Sequence, residues 1–567
     1  MRTIFQVYTQ LACILSLVNE IHAQTWKTQV NTTMCNWNQY RAIQFQQSIV
    51  FNGGSLWWQN GYSDGSLGIP ENNENKNSPF LSFPLSTPFD TQTTNVTALF
   101  SAKPRSRIQY QNFRSGAMFG SDEEILLYGG VTRETDTKSS NSANLLGYRS
   151  ATHPSELNTG YFFNSTLPST ISESVTSGSQ VSVPSESLAF YFGGMRGKDW
   201  GQISSDDGSA DTAATTLIMV NMGISGDQKV WKNFSLPTSV VSRADSQMVW
   251  IPVSERGILA VIGGVLNPQN IFPTGLSVSQ AKQNKERDPE FMRQISIYDI
   301  AREKWFLQGT TGDIPSKAYA AFCAVVASAS DGSSHNIYIY GGYDGQDALS
   351  TPYDDVYILS LPSFVWTKAY TGRPQYGRSG HQCFRILPDR MLIVGGLYKD
   401  PSLCLQDGFV RIFDLNTLAF NSSYSPYINE DYLVPDPIIR QIGGSNTGNA
   451  TASAPILKAD PELVSILNTK YTKPIPTWYP YAEGMATSVP LYSPAKSWVV
   501  PLAVGLIVPS AVLMIGVVEI DSTPVATSLK TQIHKVHELP GSPANDTSGY
   551  PLSITSTPPE MYARLHS

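Results

Sequence analysis

Short apolar runs that end in two adjacent glycines recur along the chain. Runs such as LAVIGG and IYIYGG are continuous rather than alternating, which is typical of strands buried on both faces. Glycine at the end of such a strand permits a positive φ and lets a neighbouring backbone approach closely. First glycines of successive doublets lie 48 to 78 residues apart, which predicts seven repeated β units. The repeat glycines are Gly53, Gly54, Gly129, Gly130, Gly193, Gly194, Gly263, Gly264, Gly341, Gly342, Gly395, Gly396, Gly443 and Gly444.

A second element follows most doublets. It is a strand with an aromatic and an acidic residue, then a turn, then a large aromatic residue; in ISIYDIAREKWF, Tyr298 and Asp299 precede Trp305. Aspartate can hydrogen-bond turn backbone, and a large flat side chain fills the space between wedge-shaped sheets. The aromatic residues predicted to fill that space are Trp231, Trp305, Trp366 and Phe420.

At these residues the chain resembles the kelch-repeat β-propellers, and more closely the single-pass kelch-repeat cell-surface proteins of fungi. The stretch AFCAVVASASDGSSHNIYIYGGYDG (321–345), with DDVYILSLPSFVW and GRSGHQC after it, carries the likeness, which covers about residues 26 to 455. The shortest spacings approach the roughly 50-residue kelch period, one four-stranded blade each. We therefore predict an all-β, kelch-type propeller. Seven blades are favoured, with strands near residues 26–40 completing the seventh, and six is the alternative.

Two apolar segments predict a single-pass membrane protein with its N-terminus outside. Residues 1–23 are typical of a signal peptide, because the apolar run 11–18 is too short to span a bilayer. Residues 498–518 carry no charge and would span about 30 Å as a helix, the thickness of the hydrocarbon core. The predicted order is signal peptide 1–23, propeller ectodomain 24–455, Pro-rich juxtamembrane stalk 456–497, transmembrane helix 498–518 and disordered cytoplasmic tail 519–567.

Glycosylation sequons and cysteines agree with an exterior body. Four cysteines remain after the signal peptide, and the 21-residue separation of Cys383 and Cys404 suits neighbouring strands of one hairpin, so we predict that bridge. Cys35 and Cys323 are left either paired or as buried thiols. The predicted glycosylation sites are Asn31, Asn95, Asn164, Asn233, Asn421 and Asn449.

Composition and charge exclude one class of function. Only 15% of residues are charged, the formal net charge is −7 and the pI is about 5.6, which argues against a nucleic-acid partner. Arg114, Arg243 and Arg378 precede three doublets by 15 to 20 residues. Internal pairing with loop aspartates is the favoured interpretation for these arginines, and a ring of guanidinium groups for an anionic ligand is the alternative.

Candidate chemistry is sparse. The copper oxidases of the galactose-oxidase type also use a kelch propeller, but they need two histidines at the metal, and the exterior His153, His335 and His381 share no motif. Asp206 and Asp207 lie in a Gly/Ser-rich stretch typical of a solvated loop. We predict no catalytic, metal or cofactor residues. The hypothesis is a non-catalytic propeller at the plasma membrane that binds a surface protein or glycan, with room for a cytoplasmic partner of the tail; the alternative is a carbohydrate-active enzyme on the extracellular face.

Overall fold

The computed structural model describes residues 33–481, except 73–79, 103–111, 133–143, 151–159, 205–207 and positions 225, 227, 273, 348 and 429. All of these belong to one compact unit, residues 1–488. The predicted signal peptide, transmembrane helix and tail lie outside the described residues, as do Asn31, His153, Asp206 and Asp207. Within the described part of the chain, no helix is long and apolar enough to cross a membrane.

Six four-stranded antiparallel sheets, the blades, dominate the described residues. Strands follow chain order from the innermost to the outermost in every blade. Blades one to three are β1 (Arg41–Phe45), β2 (Ser48–Asn52), β3 (Leu81–Pro84), β4 (Ser101–Ala102); β5 (Ala117–Gly120), β6 (Glu124–Tyr128), β7 (Asn144–Arg149), β8 (Tyr161–Thr166); and β9 (Ser179–Val183), β10 (Leu188–Phe192), β11 (Thr216–Asn221), β12 (Trp231–Ser235). Blades four to six are β13 (Gln247–Ile251), β14 (Ile258–Ile262), β15 (Gln294–Asp299), β16 (Lys304–Gly309); β17 (Cys323–Ser328), β18 (His335–Tyr340), β19 (Val356–Leu361), β20 (Val365–Tyr370); and β21 (Gln382–Leu387), β22 (Arg390–Val394), β23 (Val410–Asp414), β24 (Ala419–Asn421).

Smaller elements decorate the connections between blade strands. Short strands form two three-stranded sheets and one two-stranded sheet, and a further strand pairs in parallel with β20. The helices are α1 (Val278–Arg287), α2 (Glu290–Arg293), α3 (Asp436–Ile442) and α4 (Pro461–Leu467). The small strands are Thr33–Asn38, Ser55–Gln59 and Glu71–Asn72; Val175–Thr176, Met195–Arg196 and Thr212–Ala213; Phe89–Asp90 with Ser423–Tyr424; and Thr311–Gly312.

The first six glycine doublets join each blade to the next. In all six, the N–H of the second glycine donates to a carbonyl that precedes the innermost strand of the next blade, at 2.7–3.0 Å. A Cβ on the first glycine would lie 2.1–2.9 Å from that same carbonyl oxygen. Both glycines also have positive φ, so only glycine fits there without strain. The accepting carbonyls belong, from blade one round to blade six, to Trp37, Phe113, Val175, Arg243, Tyr319 and Arg378.

Ring closure shows six blades in the described part of the chain, rather than the favoured seven. The sixth doublet bonds to Trp37, which directly precedes the first blade, and a single hydrophobic core joins blades six and one. Strand Thr33–Asn38 pairs with Ser55–Gln59 in a separate sheet instead of starting a seventh blade. The doublet Gly443 and Gly444 follows helix α3, so its assignment as a strand repeat is wrong. The run before it places Ile438 and Ile442 one helical turn apart, and both are buried.

Aromatic residues of the outermost strands lie between blades. Trp231 contacts Tyr128 of blade two at 5.6 Å between ring centroids, and Trp305 contacts Phe192 of blade three at 5.7 Å. Trp366 is fully buried in the core shared by blades four and five. Phe420 packs on blade five, and the sequence analysis missed two counterparts, Phe100 between blades six and one and Phe162 between blades one and two.

Residues 456–481, here the C-terminal strap, pack on the propeller, which corrects the boundary predicted at 455. Helix α4 buries Leu463 and Ile466 in the core of blades four and five. Tyr471 donates to Glu186 at 2.8 Å, and Tyr481 is buried between blades one and six. The apolar and hydrogen-bonding side chains interleaved with the prolines explain why this segment docks rather than extending as a stalk.

Candidate binding cavity

Six turns, one per blade, form a continuous belt at the entrance to the innermost strands. Each turn has a residue of positive φ, between 51° and 70°, two positions after the carbonyl that accepts from the preceding doublet. Five of the six donate their N–H to the carbonyl of the belt residue in the preceding blade, at 2.7–2.9 Å. The belt residues are Gln39, Ser115, Ser177, Asp245, Ala321 and Gly380. Backbone hydrogen bonds therefore fix the backbone positions from which the belt side chains project.

The belt surrounds a cavity of about 160 Å³, here the axial cavity. Its lining comes from all six blades, which places the cavity on the axis of the ring. Several polar side chains line the cavity beyond the belt, among them Asn38, Gln247, Asn270 and Gln382. Among the described residues that line it there is no lysine or arginine. The cavity can therefore hold a small polar group through hydroxyls, amides and one carboxyl.

Asp245 is that carboxyl. It is half-buried as a residue, but its Oδ2 is closed off from solvent and has no hydrogen-bond partner. Burial raises the pKa of Asp245 to about 7, with the neighbouring Ser177 hydroxyl opposing the rise. Nearly all buried polar atoms in folded proteins find a partner. The carboxyl thus carries an electrostatic cost that the Ser177 hydroxyl offsets only in part.

His381 lines the cavity beside a disulfide. Its Nε2 lies 3.1 Å from the carbonyl oxygen of Tyr340, and since a carbonyl can only accept, Nε2 carries the proton. Burial, reinforced by repulsion from Arg378, lowers the pKa of His381 to about 3, so the ring is neutral. A ligand atom of His381 and the sulfurs of Cys323 and Cys383 lie within 4.8 Å of one another, a set that could hold a metal ion. The two sulfurs are joined as a disulfide, however, and the thiolates that a metal would need are absent in this state.

The disulfides differ from the predicted bridge. Cys35 pairs with Cys404 and Cys323 with Cys383, so the prediction of Cys383 with Cys404 is wrong. Cys383 lies on the innermost strand of blade six and faces blade five, whereas Cys404 lies in the loop between β22 and β23 that reaches the first described strand. The sequence separation suited a hairpin, but the two cysteines belong to different interfaces. The bridge between Cys35 and Cys404 joins the two ends of the ring, and the bridge between Cys323 and Cys383 joins blades five and six.

The arginines do not form an anion site. Arg243 donates to the carbonyls of Gly263 and Val261 at 2.6 and 2.9 Å, and Arg378 donates to the carbonyl of Gly395 at 3.0 Å. Both are fully buried, which supports internal pairing, although the partners are backbone carbonyls rather than loop aspartates. Arg114 is one position out of register with them. Phe113 supplies the equivalent accepting carbonyl.

Predicted sites elsewhere lie away from the cavity. Asn164, Asn233 and Asn421 are exposed on the outermost strands of blades two, three and six, and Asn449 is exposed in the loop after α3. Asn95 is half-buried and caps a 3-10 turn. His335 begins strand β18 and is buried, and its Nδ1 lies 2.7 Å from the Ser328 hydroxyl.

The sequence analysis missed the belt residues. Their side chains differ from blade to blade, so no repeated letter marks them. The signal that could have found them is positional, because each lies directly before an innermost strand at a fixed distance from a doublet-accepting residue. Only the doublets themselves were visible in the sequence.

Comparison with known proteins gave relatives of part of the chain, and no family model matches. A kelch repeat-containing protein of Arthroderma benhamiae is 27% identical over 461 residues, which cover 72% of this chain and 64% of that protein. Kelch domain-containing protein 3 of Mus musculus is 24% identical over 30% of this chain and 44% of its own length. Acyl-CoA-binding domain-containing protein 4 of Arabidopsis thaliana is 25% identical over 24% of this chain and 20% of its own. The chain thus spans less than two thirds of each of these relatives.

Proposed function

The chain belongs to the kelch-repeat family, as the sequence predicted, and we propose that it is a non-catalytic cell-surface protein whose axial cavity engages a protein or glycan partner. The cavity carries this proposal because hydrogen-bonded turns from all six blades surround one opening, and four of them present a polar belt side chain there. A rigid scaffold that positions variable loop side chains is the usual basis of recognition. Fold alone does not define function, so the proposal stands on this site.

The chemistry of the cavity suits binding better than bond cleavage. Asp245 and His381 are the carboxyl and the imidazole among its described lining residues. A glycosidase uses two carboxyl groups across the scissile bond, and the lowered pKa of His381 keeps its imidazole neutral at the pH where an acid would be needed. The alternative, a carbohydrate oxidase or hydrolase, would require a bound metal or turnover of sugars. Metal analysis of the purified chain tests the first of these requirements directly.

Several features support a location at the plasma membrane. They are the proposed signal peptide 1–23, the proposed span 498–518 and exposed sequons on the outer strands, where glycans would leave the cavity open. Tyr471 and Tyr481 of the strap contact the far ends of the innermost strands, away from the belt. The described chain therefore ends on the face opposite the cavity, which leaves the cavity free for a partner. The proposed tail, 519–567, offers a separate contact for a cytoplasmic protein.

Site-directed photocrosslinking on intact cells tests the proposal. A photoreactive residue replaces exposed Asn270 at the cavity rim, and a matched variant carries it at Ile475, which is 46% exposed on the strap face. Both full-length chains are expressed at equal surface levels, and captured proteins and glycans are identified by mass spectrometry. We expect specific adducts at Asn270 and none at Ile475.

A chain that lacks residues 519–567 completes the experiment. If the adducts at Asn270 persist in that chain, the propeller selects the partner. Adducts confined to Ile475, or lost when the tail is removed, would contradict the proposal, because they would place recognition on the strap face or in the tail.

A further inference from the structure

The axial cavity holds one uncompensated acidic group. Asp245 contributes the formal charge, and among the described lining residues no lysine or arginine balances it. The nearest buried guanidinium in sequence, that of Arg243, is committed to backbone carbonyls. A carboxyl in this position favours a cationic occupant, because the attraction between opposite charges is stronger where water is excluded.

A further acceptor in the wall lacks a donor. The Ser177 hydroxyl, next to Asp245 on the belt, favours the ionised carboxyl, whereas Nδ1 of His381 is buried without a hydrogen-bond partner. Since Nε2 of His381 carries the proton, Nδ1 can only accept. Two residues of the cavity lining, Asp245 and His381, therefore carry an acceptor atom without a matching N–H or O–H. This is the pattern expected of a site whose donor arrives with a ligand.

The amides and hydroxyls of the lining suit either an ammonium group or the hydroxyls of a sugar. The carboxyl of Asp245 favours the ammonium group, because it attracts a positive charge. Sugar rings usually stack on an exposed aromatic face, whereas Tyr40, Phe322 and Tyr343 of the lining are buried behind the belt. A primary ammonium carries three donors, no acceptor and one positive charge. We propose that the axial cavity binds a primary ammonium group, a lysine side chain or amino terminus of the partner, through Asp245. This inference rests on the proposed function and names the chemistry of its ligand.

Titration of the full chain with Nα-acetyl-lysine methylamide tests it. The purified chain is kept in detergent at pH 8 in phosphate buffer free of amines, and binding is followed by calorimetry and by the rise in melting temperature. The same molecule acetylated on Nζ loses both charge and two donors, so we expect it to bind at least about tenfold more weakly. That factor is the loss expected for a hydrogen bond to a charged group.

Variants identify the site. Asp245→Asn keeps the size of the side chain and removes the charge, and we expect affinity for the lysine compound to fall about tenfold or more. Glu303→Gln, which removes an exposed carboxyl on an outer turn, should change it less than about twofold. Ser177→Ala provides a second cavity variant should Asp245→Asn fail to fold, and we expect a smaller loss because it removes a neutral hydroxyl beside the carboxyl and leaves the charge in place.

Every other outcome overturns the ammonium assignment, and each can be told apart from failure of the proposed function. Binding of glucose, galactose, mannose or N-acetylglucosamine, lost in Asp245→Asn, with no binding of lysine, would make the cavity a glycan site. Equal affinity of the acetylated and free lysine compounds would also overturn the ammonium assignment. If Asp245→Asn keeps every crosslink captured at Asn270, the cavity is not the ammonium site, although partner recognition by the propeller stands. Absence of crosslinks in the wild type would instead contradict the proposed function.

Discussion

Replacing Gly263 by alanine tests whether the doublets are glycine because the neighbouring blade is so close. A Cβ at Gly263 would lie 2.7 Å from the carbonyl oxygen of Tyr319 in the next blade, and the residue has a φ of 60°. The N–H of Gly264 donates to that same carbonyl at 2.7 Å. Alanine therefore meets a left-handed backbone and also a backbone atom that cannot change rotamer to make room.

Two costs set the expected magnitude. A left-handed conformation costs a non-glycine residue about 1–2 kcal/mol. If the blades separate to accommodate Cβ, the buried N–H of Gly264 loses its acceptor, which costs a further ~1–3 kcal/mol. We expect Gly263→Ala to lower the free energy of unfolding by about 2–5 kcal/mol. Gly332→Ala is the matched control, since Gly332 has a φ of 75° and nothing within 4 Å of its Cβ, and it should lose only about 1–2 kcal/mol.

The assay is thermal unfolding of the full chain, followed by calorimetry and circular dichroism at one scan rate. Comparison of the two variants removes the contribution of the left-handed backbone, which they share. Gly263→Ala must melt clearly below Gly332→Ala. Equal melting temperatures would refute the idea that the approach of the next blade selects glycine, and would leave backbone conformation as the whole reason.

Three further predictions concern the bridges, the cavity and the strap. Peptide mapping without reduction should recover Cys35 joined to Cys404, and Cys404→Ser should lower the free energy of unfolding by about 2–5 kcal/mol, since this bridge closes a long loop; a peptide joining Cys383 to Cys404 would contradict the structure. Asp245→Asn should raise the melting temperature at pH 8, with the gain fading from pH 7 towards pH 4, because the raised pKa makes the ionised carboxyl costly only above its ordinary range; a gain independent of pH would exclude this cause. Burial opposes ionisation of Glu186, but hydrogen bonds from Tyr471 and Lys473 of the strap and from Arg256 hold its pKa below the ordinary value. The stability that Glu186 adds is therefore lost as the pH falls through its folded pKa. Glu186→Gln should abolish that acid-dependent loss in a melting series from pH 6 to pH 3.

The repeating unit could be predicted from the sequence because its requirements are local. A continuous apolar run followed by two glycines indicates that a strand is buried on both faces and that a neighbouring backbone lies close to its end. The number of blades could not be predicted in this way, since ring closure depends on which carbonyl accepts from the sixth doublet. Trp37 and Gly396 are 359 positions apart, and nothing in the sequence near either residue indicates that they meet.

Local similarity also misleads in two places. IIRQIGG ends like a strand repeat, but the prolines before it and the spacing of its buried isoleucines produce helix α3. The separation of Cys383 and Cys404 suits a hairpin, yet disulfide partners are chosen by spatial proximity between blades. The strap resembles a stalk in its proline content, but apolar side chains such as Leu463 and Tyr481 outweigh the prolines and dock it on the propeller.

The contrast between doublets and belt locates function within the repeat. All twelve glycines of the first six doublets have positive φ. A side chain on the first glycine would meet the carbonyl of the next blade, and one on the second would meet backbone at the start of its own blade. The belt also requires positive φ, yet five of its six residues are not glycine, including Gln39, Ser177 and Asp245. Each of these residues is strained by about 1 kcal/mol or more relative to glycine. The chain therefore has side chains where they border the axial cavity and glycine where a side chain would collide with nearby backbone. This is the distribution expected if the belt is the surface that recognises a ligand.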